Sequence, residues 1–222
     1  MIIKRGLKMY FACLVTFFQP SLLCAQVGGA QNGDVILVKN LREIYPSNPV
    51  LVESYGVCDS QSTIINLPSV VWRVPSYGYD KMSQLKYALG ENKDLMIYKD
   101  ASGVAVIRRR GLASKLLPIK IDNLKFDENQ QYSVELAMIA LLKSAPVKKT
   151  MSDLDMKSMP KFGGLISGPD PGQPHLVGAL NGQTFESVIL SIVSKFQGIM
   201  VYKECSLKNG SKRFSYDYYY PQ

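Results

Sequence analysis

Residues 180–205 read LNGQTFESVILSIVSKFQGIMVYKEC. Asn181-Gly182 marks a turn. Thr184 is a residue type that caps helix N-termini. Glu186 follows in the first turn, where the positive end of the helix dipole favours a carboxylate. Phe185, Val188, Ile189, Ile192, Val193 and Phe196 recur at helical spacing and make one continuous apolar face. Gly198 is the expected C-terminal stop. IMVYKE (199–204) then reads as a strand, Asn209-Gly210 as a hairpin turn, and RFSYDYYY (213–220) as the returning strand. Helices interleaved with short hairpins predict an α+β protein with helices packed on a mainly antiparallel sheet.

The same order of elements occurs upstream. A helix over about Lys81 to Leu89 ends at Gly90, DLMIYKD (94–100) follows as a strand, and VAVIRRR (104–110) returns after Ala101-Ser102-Gly103. LMIYKD at 95–100 and IMVYKE at 199–204 match in residue type at every position. This predicts an α-β-β unit used twice, in two small lobes at 34–113 and 116–222, each with one or two helices on its sheet. VILV (35–38), PVLVESYGV (49–57), TIINL (63–67) and SVVWRV (69–74) read as further strands of the first lobe.

In the second lobe LPIKIDNLKF (117–126) alternates as a half-buried strand. YSVELAMIALLKSAP (132–146) is a helix with Ser133 as N-cap and Pro146 past its end. Residues 146–174, rich in Pro, Gly, Ser and charge, read as a long loop insertion, functional or disordered. LISG (165–168) and HLVGAL (175–180) frame its end as short strands.

The first 25 residues have the layout of a secretory signal peptide. Lys4, Arg5 and Lys8 precede an apolar run from Met9 to Phe18. Pro20 and small residues before Gln26 follow. The run is too short for a helix to span a bilayer, which takes about 20 residues. Cys24 leaves a lipoprotein reading open, and a lipid there is the expected membrane contact if there is one. Export predicts a periplasmic or secreted protein. It leaves Cys58 and Cys205, which an oxidising compartment favours as one disulfide.

The chain carries 26 basic and 18 acidic residues, a net +8, and three of the basic ones lie in the signal. The rest is mildly basic and dispersed. Arg108-Arg109-Arg110 is the dense run, read as a solvated strand end rather than an anion or nucleic-acid contact. Export argues against nucleic acid as a partner.

Catalytic residue types are scarce. His175 is the single histidine, so Ser-His-Asp catalysis, a Cys58–His175 pair and histidine-based metal sites have little to work with. The chain has no CxxC pair, phosphate loop or dinucleotide fingerprint. Asp153 and Asp155 form a DxD-like pair without further oxygen ligands nearby. Glu53 and Asp59 are conceivable paired carboxylates, with no sign in the sequence that they converge. No catalytic residue, cofactor or metal is expected. The surplus is aromatic: Tyr216, Tyr218, Tyr219 and Tyr220 crowd the last strand. Alternation puts Phe214, Tyr216, Tyr218 and Tyr220 on one face and Tyr219 on the other. They are candidate partner contacts, by strand addition or as an aromatic hot spot, if they are not simply packed on helices.

LPIKIDNLKFDENQQYSVELAMIALLKSA together with HLVGALNGQTFESVILSIVSKFQGIMVYKE resembles the short N-terminal domain of secretins and TonB-dependent transducers. Leu180, Gly182, Thr184, Phe185 and Glu186 match that family's strand-to-helix step, and Ile189, Ile192 and Val193 fall where its helix buries its face. QLKYALGENKDLMIYKDASGVAVIRR looks like the closing helix-hairpin of the same domain. The likeness covers about half of the exported chain. No secretin barrel or receptor barrel follows in this sequence, and residues 146–174 depart from the family pattern. The resemblance implies a small envelope module that contacts another envelope protein or itself. An exported hydrolase using carboxylates or Cys58 is the alternative.

Overall fold

A strand covered on both faces needs a nearly continuous apolar run, and VLVESYGV supplies one. In the computed structural model this run is β1 (Val50–Val57), buried from Val50 to Tyr55. The structure describes residues 33–46, 48–58, 80–89, 93–111, 113–158 and 172–221. The signal segment with Cys24, the expected strands at 63–67 and 69–74, Asp59, and the stretch 159–171 of the long loop with LISG lie outside them.

The fold is α+β. Before β1 comes α1 (Gly33–Ile44) and after it α2 (Lys81–Ala88), β2 (Leu95–Lys99) and β3 (Ala105–Arg109). The rest comprises β4 (Lys120–Ile121), β5 (Leu124–Lys125), α3 (Glu128–Tyr132), α4 (Val134–Lys143), α5 (Ala145–Asp153) and β6 (Met156–Ser158). It ends with β7 (Ala179–Leu180), β8 (Gln183–Thr184), α6 (Phe185–Phe196), β9 (Ile199–Ser206) and β10 (Lys212–Tyr219). Six strands form one sheet in the order β2-β3-β1-β9-β10-β6, and β4-β8 and β5-β7 form two small ribbons. The sheet is mixed, not mainly antiparallel. β3, β1 and β9 run parallel, β2 and β10 are antiparallel to their inner neighbours, and β6 is parallel to β10.

Two cores sandwich the sheet. On one face Leu51, Tyr55, Val104, Val106, Met200, Tyr202 and Phe214 pack under α4 and α6. On the other, Val50, Val52, Ala105, Ile107, Ile199 and Val201 pack under α1 and α2. Residues Gln31–Gln222 form one compact unit. The expected boundary between 34–113 and 116–222 therefore falls inside a sheet: β1 of the first range pairs with β9 of the second along eight residues, Val50↔Ile199 to Val57↔Ser206. Hairpin signals are local, whereas parallel pairing between distant strands leaves none in sequence.

Other expectations change for local reasons. VILV is part of a helix, because Leu37, Val38, Leu41 and Tyr45 are buried at helical spacing while Val35 and Ile36 are exposed. A run of four apolar residues does not separate strand from helix. Pro146 does not end the structure around it. It sits in the first turn of α5, where a missing N–H costs nothing, so 145–158 is helix and strand rather than loop. LPIKIDNLKF breaks into β4 and β5 around Asn123, whose φ of 56° is left-handed. Of HLVGAL, only Ala179–Leu180 is strand.

The helices at 81–88, 134–143 and 185–196 carry the side-chain caps Asp80, Ser133 and Thr184. At the end of α6 the left-handed position is taken by Gln197 (φ 57°), not by Gly198.

The helix–strand–turn–strand order does recur, but the echoed letters are not equivalent in place. Leu95 and Ile97 of β2 face α2, with Tyr98 turned to the opposite core. In β9, Met200 and Tyr202 face α6, while Ile199 and Val201 turn away. With a strand period of two, the match is out of step by one residue relative to each unit's own helix.

Candidate functional site

The tyrosine-rich strand β10 borders a groove. Its alternation is as the sequence indicates. Phe214, Tyr216 and Tyr218 face the α4–α6 core, and Tyr219 faces the α1–α2 core. Tyr216 is 4% exposed and packed on helices, so it is not available as a partner contact in the folded chain. Burial, with Glu135 and Asp217 nearby, pushes its phenol up to about 12. Tyr218 is partly buried and meets Tyr220 edge to face at 4.9 Å. Tyr220 is exposed and donates from its hydroxyl to Glu135 Oε2 at 2.7 Å. Burial and that carboxylate both raise its pKa, so it remains a neutral donor near pH 7.

Tyr219 and α1 wall a groove of about 520 Å³ with Val35, Val38, Lys39, Arg42 and Glu43. A smaller cleft of about 90 Å³ adjoins it through Arg42 and Tyr219 and adds Tyr45, Asn48, Gln197 and Tyr220. Arg42 donates to the Tyr220 carbonyl at 2.5 Å and so ties α1 to the end of β10. Glycine at 198 is required here: a Cβ would overlap the Tyr218 hydroxyl and approach the Tyr219 carbonyl oxygen to 2.6 Å. β6 pairs only with Lys212–Phe214. The groove offers apolar wall, phenol and guanidinium. Its described lining contains no serine, cysteine or histidine.

A second cluster lies between the sheet and α6. Glu53 is buried in β1, and Arg108 in β3 reaches both its oxygens, at 2.7 Å from Nε and 3.0 Å from Nη2. Tyr55 donates to Glu53 Oε2 at 2.6 Å, Arg108 also binds Glu186 at the start of α6, and the guanidinium stands 5.9 Å from the Tyr98 ring centroid. Burial pushes the Glu53 carboxyl above its usual range, against the downward pull of Arg108 and Tyr55. Arg108 is thus not a solvated strand end. Sequence reasoning missed the cluster because Glu53 and Arg108 become neighbours only through parallel pairing of β1 and β3 (Glu53↔Arg108). The one available signal was a charged residue inside each apolar run.

At the C-terminal ends of β1 and β9, Cys58 and Cys205 form a disulfide with a Cα–Cα distance of 5.3 Å across 147 residues. Cys58 continues β1 by donating its N–H to the Ser206 carbonyl at 3.0 Å, and both cysteines are buried. Next to it Glu204 is filled by donors: Tyr202 at 2.5 Å, the Ser114 hydroxyl, and the backbone N–H groups of Lys115 and Leu116. Its carboxylate fastens the 114–117 turn to the sheet.

His175 packs against Tyr132 with the rings tilted by 33° and their centroids 5.1 Å apart, and is not joined to Cys58, whose sulfur is bonded to Cys205. Asp153 pairs with Lys149 on the exposed face of α5. Among the described residues no group of three or more His, Cys, Asp or Glu is placed to hold a metal ion, and no helix is long and apolar enough to cross a membrane. Together these features define an α+β protein with helices on both faces of a mixed sheet, a disulfide-fastened centre and an aromatic groove. No protein-family model, curated protein or solved structure matches the chain.

Proposed function

We propose that the chain is an exported envelope protein that binds another protein, or a second copy of itself, in the groove between α1 and β10, and that it acts without catalysis. The observation that carries this reading is the coincidence of an aromatic wall (Tyr45, Tyr219, Tyr220) and a basic lip (Lys39, Arg42) at one place. Aromatic and arginine side chains dominate binding hot spots. The signal-like N-terminus and the disulfide support an oxidising compartment. The resemblance to the short N-terminal domain of secretins and TonB-dependent transducers supports an assembly role.

The hydrolase alternative draws less support. The sulfur of Cys58 is engaged, and the oxygens of Glu53 are held by Arg108 and Tyr55.

Site-specific photo-crosslinking tests the proposal. A crosslinker in place of Tyr219 should trap a discrete partner or a dimer in intact cells. The same group in place of the exposed Tyr87 on α2 should not. Equal products from both positions, or none from position 219, would count against the groove.

A further inference from the structure

The two ends of the sheet differ in charge. β1, β3 and β9 finish at one end, and β2, β6 and β10 begin there. That end gathers Arg109, Arg110, Lys115, Lys157, Lys208 and Lys212. Lys115, Lys157, Lys208 and Arg110 are exposed. The acidic residues near them are Asp94, Asp155, Asp153 and Glu186, the last two paired with Lys149 and Arg108, together with Glu204, which is buried and already filled by four donors. The opposite end, where β1 and β9 begin, mixes signs, with Lys39, Arg42, Glu43, Asp100 and Glu135.

Two further features mark the basic end. Val57 stands in its middle, 79% exposed, an apolar tip among cations. Beside it lies a cleft of about 120 Å³ whose lining includes Tyr55, Ser206, Lys115, Lys212 and the donor-filled carboxylate of Glu204.

We infer that this end of the sheet docks on the anionic headgroups of a lipid bilayer. The cations spread over a broad, shallow surface. Six strands about 4.8 Å apart make an end roughly 24 Å across, which suits many weak phosphate contacts rather than one threaded chain. An exposed aliphatic tip within a basic rim is what a headgroup layer rewards, since the apolar group enters the boundary while the cations stay with the phosphates. The surface is separate from the tyrosine groove, so a bilayer and a protein partner can be held together.

Vesicle flotation with residues 31–222, the compact unit that holds the whole sheet, tests this and avoids the apolar N-terminal run. The chain should float with phosphatidylcholine vesicles containing phosphatidylglycerol and not with phosphatidylcholine alone, and binding should weaken steeply with salt. Arg110→Gln, Lys208→Gln and Lys212→Gln combined should weaken binding on the order of 100-fold, roughly fivefold per cation. An equal charge change elsewhere, Lys120→Gln, Lys125→Gln and Lys148→Gln, should alter it less than threefold. Val57→Ser should weaken binding with no change in its salt dependence. Cooperative melting of each variant checks the fold. Equal flotation with both vesicle types, equal losses in the two triple variants, or capture by soluble polyglutamate in place of vesicles would overturn the inference.

Discussion

At the scale of single residues, burial of charge is the strongest constraint in this molecule. Glu53 has lost water on all sides and depends on Arg108 and Tyr55 for compensation. Glu186 is different: its partly exposed carboxylate adds to a pair that already exists. Removing one partner of a buried pair strands the other. Arg108→Ala should therefore cost about 3–5 kcal/mol, on the order of 10 °C in Tm for a chain of this size. Glu186→Gln should cost under about 1 kcal/mol. The pH dependence follows in sign. The folded value of Glu53 lies above its unfolded value, so its contribution to stability is fully present below the ordinary glutamate range and is lost as pH rises through the folded value. Without Arg108 the folded value climbs further. Thermal melts should show a larger gap between the wild type and Arg108→Ala at pH 8 than at pH 4. An equal gap at both would mean that Glu53 is reached by water. The sequence showed Glu53, Arg108 and Glu186 as three unrelated charges. Their convergence depends on which strands lie side by side, and nothing local encodes that.

At the scale of elements, local chemistry was mostly legible. Caps at Ser133 and Thr184 and the apolar face of α6 follow from spacing and side-chain type, and the structure places them as read; the Asp80 cap of α2 is added by the structure. Gly198 was legible as a glycine with a purpose, but the purpose is close approach, not the left-handed turn. The distinction has a consequence. Gly198→Ala should destabilise by about 1–3 kcal/mol through overpacking against β10. Tyr218→Phe should restore part of the loss, since it removes the hydroxyl that would clash. Tyr218→Phe alone should be close to neutral, because that hydroxyl is buried against the Gly198 backbone without a well-formed hydrogen bond. A denaturant double-mutant cycle reads the coupling, and strict additivity would mean that the strain lies at the Tyr219 carbonyl instead. The disulfide acts on a longer span. It joins neighbouring strand ends that are 147 residues apart, so the chain-entropy model assigns it about 5 kcal/mol. Replacing Cys58 and Cys205 together with serine should lower stability by roughly 2–5 kcal/mol. Thiol titration of the unfolded, unreduced chain from residue 26 should find no free thiol.

At the scale of the whole molecule, the class was legible and the partition was not. Alternating helices and hairpins gave α+β, and each hairpin was found where its turn residues stand. The sheet order places strands of both halves side by side at its centre, a non-local pairing that hairpin logic does not reach. This makes the two halves energetically dependent. Residues 34–113 alone would leave the β1 edge open and strip Leu51, Tyr55, Val104 and Val106 of the helices above them. Residues 116–222 alone would expose the whole paired edge of β9 and uncover Ile199 and Val201, which rest on α1 and α2. An edge strand that long and apolar, with both faces half-covered, is an aggregation surface. Expressed separately, neither fragment should give cooperative thermal unfolding or dispersed amide resonances. Co-expressed, they should assemble into a complex that melts as one transition and is linked by the Cys58–Cys205 bond under oxidising conditions. A sharp, independent transition for 116–222 alone would show that its helices and ribbons suffice as a domain, and that the pairing of β1 with β9 is a docking contact rather than the centre of the fold.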